Sequence, residues 1–233
     1  MLPDPQAFEA RLVIHAAGRL GLRGGEIAHL GADWVDLDRR MVDIPEHDHC
    51  EKGKDGGVCG YCRERAAEHL EAYNYDLEEA REVIQEEIGD VEISEEKLDE
   101  LARERIADRN ITLETALAER WEPKTINGAR SIPYDFDVRT ELVVEEFVDE
   151  YDVFPKARVA VNRRVREAAE AADLDGRIYP HALRATAANR MALHDVSAYS
   201  LMGVMGWADI QTARAYIQAS DENAAMEVRA KHR

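Results

Sequence analysis

The stretch that decides the fold is the last third of the chain. It reads His181-Ala182-Leu183-Arg184, then Met205-Gly206-Trp207, then Thr212-Ala213-Arg214-Ala215-Tyr216. The histidine and the first arginine are three residues apart, so a helix projects both from one face. The apolar spacing predicts helices over 181–194, 197–205 and 210–217. Upstream, 139–151 and 157–172 also read as helices, the second ended by Asp173-Leu174-Asp175-Gly176. At the other end of the chain, residues 8, 12, 13, 16, 17 and 20 form an apolar helical stripe. Gly21 can end that helix at positive φ, and a short helix follows at 26–30. Residues 34–37 and 41–44, around Asp38-Arg39-Arg40, read as a β-hairpin. Residues 124–133 read as a turn and strand, with Asn127-Gly128 supplying the turn. Ser220 caps a last short helix. The class is mainly α with a small antiparallel β-sheet.

Two further segments complete the pattern. Arg23 stands in Gly21-Leu22-Arg23-Gly24-Gly25-Glu26, and Lys124 in Pro123-Lys124-Thr125-Ile126-Asn127-Gly128-Ala129-Arg130-Ser131-Ile132-Pro133. Together with the C-terminal motifs, this resembles the catalytic domain of the tyrosine recombinases, the phage-integrase family. The resemblance covers residues 5–45 and 121–220 and is strongest in the last forty of these. It implies the tyrosine recombinase catalytic-domain fold. It also implies cleavage and rejoining of double-stranded DNA through a 3′-phosphotyrosyl intermediate, with no cofactor for the chemistry. The family carries a helical DNA-clamping domain ahead of the catalytic one, and nothing in this sequence corresponds to it. Residues 46–120, between hairpin and lysine strand, read as an insertion into a catalytic domain spanning 1–233.

The residue types suit that chemistry. Phosphodiester transfer needs a nucleophile, charge on the non-bridging oxygens and a proton for the leaving oxygen. Tyr216 is the candidate nucleophile, a phenol that nearby cations or a base must activate. Arg23 and Arg184 would clamp the phosphate with planar, always-charged guanidiniums. His181 would donate to a non-bridging oxygen or relay the tyrosine proton. Lys124 is the candidate general acid for the 5′-oxygen. Trp207 stands where most family members carry histidine and some carry tryptophan. Its indole donates a hydrogen bond but transfers no proton. Glu26 is expected to orient Arg23 or its helix. A type IB topoisomerase would use a similar active site. A regulator that keeps the fold without catalysis is a further alternative, as is an interaction module built on 63–120.

The chain has 233 residues, is 45% apolar and carries a net charge of −18, with 48 acids against 30 bases. No apolar run is long enough to span a membrane, and the N-terminus lacks a signal-peptide pattern, so a cytoplasmic protein is expected. Six of the bases are lysines, at 52, 54, 97, 124, 156 and 231. Heavy acid content with scarce lysine resembles proteins of extreme halophiles, implying a halophilic archaeon or its virus. In about 1 M salt the Debye length is roughly 3 Å, so such a surface repels DNA little. Acids are missing from four stretches, 10–25, 123–134, 153–166 and 176–194. These are expected to gather around an anion, with Arg130, Lys156, Arg158, Arg163 and Arg164 contacting DNA. The resemblance implies a monomer in free solution and self-association on DNA through the C-terminal segment.

A second signal lies in the insertion. Cys50, Cys59 and Cys62 occur in a Gly-rich stretch, 47–62, after His47 and His49 and before His69. Cys-x-x-Cys matches half of a structural zinc site. His49 is the expected fourth ligand, with His47 or His69 as alternatives. Residues 63–120 read as two or three acidic helices, broken at Gly89 and restarted at Ser94.

Overall fold

The computed structural model describes residues 4–118, 121–218 and 229. The helix expected from Ser220 lies outside the described residues, apart from residue 229. The helices are α1 (Asp4–Gly18), α2 (Gly24–His29), α3 (Gly60–Tyr73), α4 (Leu77–Ile88), α5 (Glu95–Arg109), α6 (Leu113–Ala118), α7 (Val138–Glu150), α8 (Arg158–Ala171), α9 (Pro180–Leu193), α10 (Ala198–Met205) and α11 (Ile210–Gln218). The strands are β1 (Val35–Asp36), β2 (Met41–Ile44) and β3 (Arg130–Pro133). The chain divides into two compact units, Met1–Glu46 with Glu122–Arg233, and His47–Trp121. No described helix is long and apolar enough to cross a membrane.

The first unit is built around α1. Its apolar stripe buries Leu12, Val13, Ala16, Ala17 and Leu20, and the helix packs on α7, α8 and α9. Phe8 stacks on Tyr151 at 5.5 Å between centroids, and Phe147 continues the aromatic layer. Gly21 ends the helix at φ 71°, and a Cβ there would lie 2.6 Å from Met205 Sδ. The positive φ favours glycine, and an added side chain would also displace the Met205 thioether.

The expected hairpin forms, with Val35 opposite Val42. It is part of a larger sheet: β3 pairs antiparallel on the other side of β2, Met41 opposite Pro133 and Ile44 opposite Arg130. The period-two pattern of β2 explains the burial of Val42 and Ile44, beside Ile132 of β3. The result is a mainly helical unit with a small antiparallel sheet. The helix ends follow local chemistry. Asp137 caps α7, Ser197 caps α10, and Pro180 opens α9 at its first position.

Among the described residues, the second unit holds four α-helices rather than two or three. Asp76 caps α4 with a reciprocal bond from Glu79, and Ser94 caps α5. The fourth helix starts where Thr112 Oγ1 accepts from Thr115 N at 3.1 Å. Helices α4 and α5 bury Ala80, Ile84, Leu98 and Ala102 between them. Asn74 and Asn110, the C-caps of α3 and α5, clasp the far connections. Asn74 bonds the backbone of Ile111 through both its amide groups at 2.9 Å. Asn110 does the same to Tyr75 at 2.9 and 2.8 Å.

Candidate active site and candidate metal centre

Three guanidiniums meet the C-terminus of α10. A helix leaves its last carbonyls without intrahelical donors, and here they run Val204, Met205, Gly206. Arg130 Nε donates to Val204 O at 2.7 Å. Arg184 Nη2 donates to Met205 O and its Nη1 to Gly21 O. Arg23 Nη2 donates to Gly206 O at 2.8 Å. Consecutive carbonyls thus each fix a different arginine, at the helix end whose dipole favours cations. Gly206 makes this possible: its φ is 58°, and a Cβ there would lie only 2.6 Å from Asn127 O.

Glu26 locks two of the three. Its side chain is buried, 2% exposed, and pairs with Arg130 through both oxygens at 2.9 Å. It also accepts from Arg23 Nη1 at 2.9 Å and from Arg23 N at 2.7 Å. Burial opposes its ionisation, but the bond and charge of Arg130, followed by Arg23, hold the carboxyl at about 2. Arg184 is buried, and burial plus the Arg23 and Arg130 charges push it down to about 9. It therefore stays charged at neutral pH. Three guanidiniums around one carboxylate leave a positive surplus suited to an anion.

The remaining candidates surround this centre with less restraint. Tyr216 lies on α11, half-buried, and stacks on Trp207 at 5.1 Å and 16° between planes. Both pack against the α9–α10 core of Ala188, Leu201 and Met205. The Tyr216 phenol is close enough to Arg184 to act on its charge. His181 is exposed on the first turn of α9, one turn before Arg184. Lys124 is exposed in the loop before β3, where Gly128 N bonds Thr125 O at 2.7 Å. Among the described residues, neither the His181 ring nor the Lys124 ammonium has a side-chain hydrogen-bonding partner.

Of the five residues expected to contact DNA, two are turned inward. Arg130 is 5% exposed and belongs to the Glu26 cluster. Arg164 is 3% exposed and bonds Glu9 at 2.7 Å and Glu167 at 2.6 Å. Each of these two guanidiniums pairs with a buried carboxylate, whereas the equally buried Arg184 donates to backbone carbonyls, so Arg130 and Arg164 are placed as structural ion pairs. Lys156 shares Glu9 at 3.4 Å. Arg163 is exposed, with Glu167 at 3.7 Å, and Arg158 is exposed at the start of α8. Acid-free stretches of sequence are not acid-free in space. The motif reading missed the role of Arg130, whose only signal was its place in the Gly-x-Arg segment after Lys124.

In the second unit, the ligand atoms of Cys50, Cys59 and Cys62 lie within 4.8 Å of one another. None of the three is disulfide-bonded, and Cys50 and Cys62 are buried. Cys59 is the N-cap of α3, and its Sγ accepts from Cys62 N at 3.5 Å. The loop between closes tightly, Gly53 N bonding Gly57 O at 2.6 Å. A hydrogen bond with Cys50, then burial, pushes the Cys62 thiol up. The three histidines expected as fourth donor are placed elsewhere. His49 is exposed, its ring 3.3 Å from Ala118 O and 3.2 Å from Glu51 Oε1. His69 stacks on Tyr73 at 5.5 Å, and His47 is exposed outside the thiol group. Exposed rings held by a neighbouring carboxylate or aromatic cannot turn into a buried thiol cluster without losing those contacts.

Comparison with known proteins identifies the fold and the family. The chain is similar to a XerA recombinase, with TM-score 0.50 and 12% identity over 100% of this chain and 63% of that one. It is similar to the Tn1549 transposon integrase in complex with transposon right end DNA, with TM-score 0.51 and 15% identity over 99% and 65%. The same integrase in complex with circular intermediate DNA gives TM-score 0.51 and 16% identity over 99% and 66%. This chain therefore spans a little under two thirds of the length of those proteins. At such identities the likeness establishes the fold. No curated protein matches. The model of the phage integrase family matches residues 1–223. The chain belongs to the phage integrase family.

Proposed function

We propose that the chain is a site-specific DNA recombinase or integrase that breaks and rejoins strands through Tyr216. The observation that carries this reading is the arginine cluster on the α10 carbonyls, beside the Trp207–Tyr216 stack. Arg23 and Arg184 bind the non-bridging oxygens of the scissile phosphate, held rigidly so that little reorganisation accompanies reaction. The Tyr216 oxygen forms a bond to phosphorus while the bond to the 5′-oxygen breaks. Lys124 gives that oxygen its proton, and the phenol proton leaves by way of His181. Trp207 fixes the tyrosine ring and donates from its indole nitrogen. The energy of the broken bond is kept in the 3′-phosphotyrosyl link, and attack by a 5′-hydroxyl reverses each step. Positive charge comes from Arg23, Arg184 and the Lys124 ammonium, and in this reading the chemistry takes no cofactor.

Double-stranded DNA is the substrate in this reading. Exposed Arg158 and Arg163 on α8 are the outer contacts, while Arg130 acts by positioning Arg23 through Glu26. The insertion read at 46–120 corresponds in this reading to the compact unit His47–Trp121. Self-association on DNA, from a monomer in free solution, belongs to the same reading. A groove of about 630 Å³, with an apolar floor of Phe136, Met191, Val196 and Val204 and with Arg19, Arg139 and Arg190 also in its lining, is a surface such assembly would cover. The acidic, lysine-poor composition supports a salt-rich setting, such as that of a halophilic archaeon.

The test is covalent trapping on a nicked suicide duplex. Wild type should give a protein–DNA adduct stable to denaturant, and Tyr216→Phe should give none while binding DNA nearly as well. An adduct from the Phe variant would remove Tyr216 as nucleophile. Lys124→Ala should slow adduct formation by about 10²-fold or more, and a substrate with a better leaving group should restore it.

A further inference from the structure

We propose that Cys50, Cys59 and Cys62 bind a structural zinc ion through three thiolates, with an imidazole as the fourth donor. Several observations converge on the thiols rather than on the surrounding surface. Ligands about 2.3 Å from a tetrahedral zinc stand roughly 3.8 Å apart, and the three sulfurs lie within 4.8 Å of one another. Two of the three are buried, away from competing water. Cys59 sits at the N-cap of α3, and Cys62 N–H already points at its sulfur. The donor set is soft, which selects zinc over magnesium or calcium.

The loop buries few side chains. Between His47 and Cys59, Cys50 is the only buried residue. Four glycines, at 53, 56, 57 and 60, make the ordered loop entropically costly. Gly53 is nonetheless packed so that an added Cβ would lie 2.4 Å from the carbonyl oxygens of Gly57 and Val58. A metal joining Cys50 to the start of α3 stabilises that closure as a disulfide would, without needing an oxidising compartment. The ion takes no part in phosphoryl transfer in this proposal and acts on folding alone.

The experiment uses the full chain, purified without added metal or chelator, and measures zinc by elemental analysis. About one zinc per chain is expected. Cobalt replacement should then give the intense visible bands of tetrahedral thiolate coordination. Cys59→Ser should lower zinc retention at least tenfold and lower the melting temperature. If that variant does not fold, thiol-reagent release of zinc from wild type, read with a colorimetric chelator, reports the same ligands. A His→Ala series at 29, 47, 49 and 69 tests the imidazole. His29 enters it as a buried ring whose Nδ1 lies 2.9 Å from Gly25 O, which fixes the tautomer and leaves Nε2 as the basic nitrogen. Loss of zinc in one variant supports the fourth donor, and retention in all four removes it. Wild type without zinc, carrying three titratable thiols or a Cys–Cys disulfide by mass spectrometry, would overturn the proposal. Suicide-substrate trapping is independent of either outcome.

Discussion

Glu26 is buried between two arginines, and its ionisation state is tied to the stability of the site. Its carboxyl is lowered from 4.5 to about 2. A depressed carboxylate stabilises the fold fully above its unfolded value, and that contribution fades as pH falls toward the folded one. The shift corresponds to about 3 kcal/mol. Thermal melts should therefore be flat in this respect above pH 5 and fall steeply between 4.5 and 2, and Glu26→Gln should blunt that step. At pH 7 Glu26→Gln should cost about 3–5 kcal/mol, because it leaves Arg130 buried without its counter-charge. A variant as stable as wild type with the same acid profile would show the pair to be unimportant. Much of this was legible: Arg23 and Glu26 are three apart in one motif, and the sequence suggested that one orients the other. The role of Arg130 was not, since it stands 104 residues from Glu26. The same holds for Arg164 and Glu9, 155 apart. Ion pairs across such separations are created by packing, and no local pattern announces them.

At the scale of elements, the end of α10 organises the site more than any single side chain. Val204, Met205 and Gly206 present their carbonyls to Arg130, Arg184 and Arg23 in turn. Gly206→Ala strains this in two ways, through the φ of 58° and through the 2.6 Å approach to Asn127 O. The first alone costs roughly 1–2 kcal/mol. The second pushes on the turn that leads from Lys124 into β3. Gly206→Ala should lose adduct formation by more than its melting temperature would suggest, measured as trapping rate at a temperature where both proteins are folded. Equal loss in both would mean that the carbonyls only stabilise. The Met-Gly-Trp motif was visible in the sequence, and so were helices α9, α10 and α11 to within a residue or so. What the motif does with its backbone was hidden, because carbonyls carry no sequence signal. The second unit gave a similar lesson. Its four helices read as two or three because Asn74 and Asn110 close connections that look like continuing polar helix.

For the molecule as a whole, charge and connectivity divide along the same line. Residues 47–121 hold 22 acids and 10 bases, a net of −12, which leaves −6 of the total −18 for the first unit. Repulsion among those carboxylates is felt over about 10 Å at 0.1 M salt and about 3 Å at 1 M. The melting temperature of the whole chain should thus rise with KCl from 0.1 to 3 M, and a flat response would count against a salt-adapted surface. Connectivity yields a sharper expectation. Ile44 at the end of β2 is paired directly with Arg130 at the start of β3. The chain that leaves the first unit after Glu46 therefore returns beside its point of departure, and 45, 46 and 122–129 already suffice to turn between the strands. Closing a short loop in place of a long one lowers the entropy cost of that pairing. The core of α1, α7, α8 and α9, the Glu26 cluster and the Trp207–Tyr216 stack all lie within the retained residues. A chain with 47–121 replaced by a short Gly-Ser link should fold cooperatively, bind duplex DNA with a lower salt requirement because −12 of charge is gone, and trap the same Tyr216 adduct. If the shortened chain fails to fold while Tyr216→Phe in the full chain folds normally, the 47–121 unit is a required part of the catalytic fold and its reading as an insertion is lost.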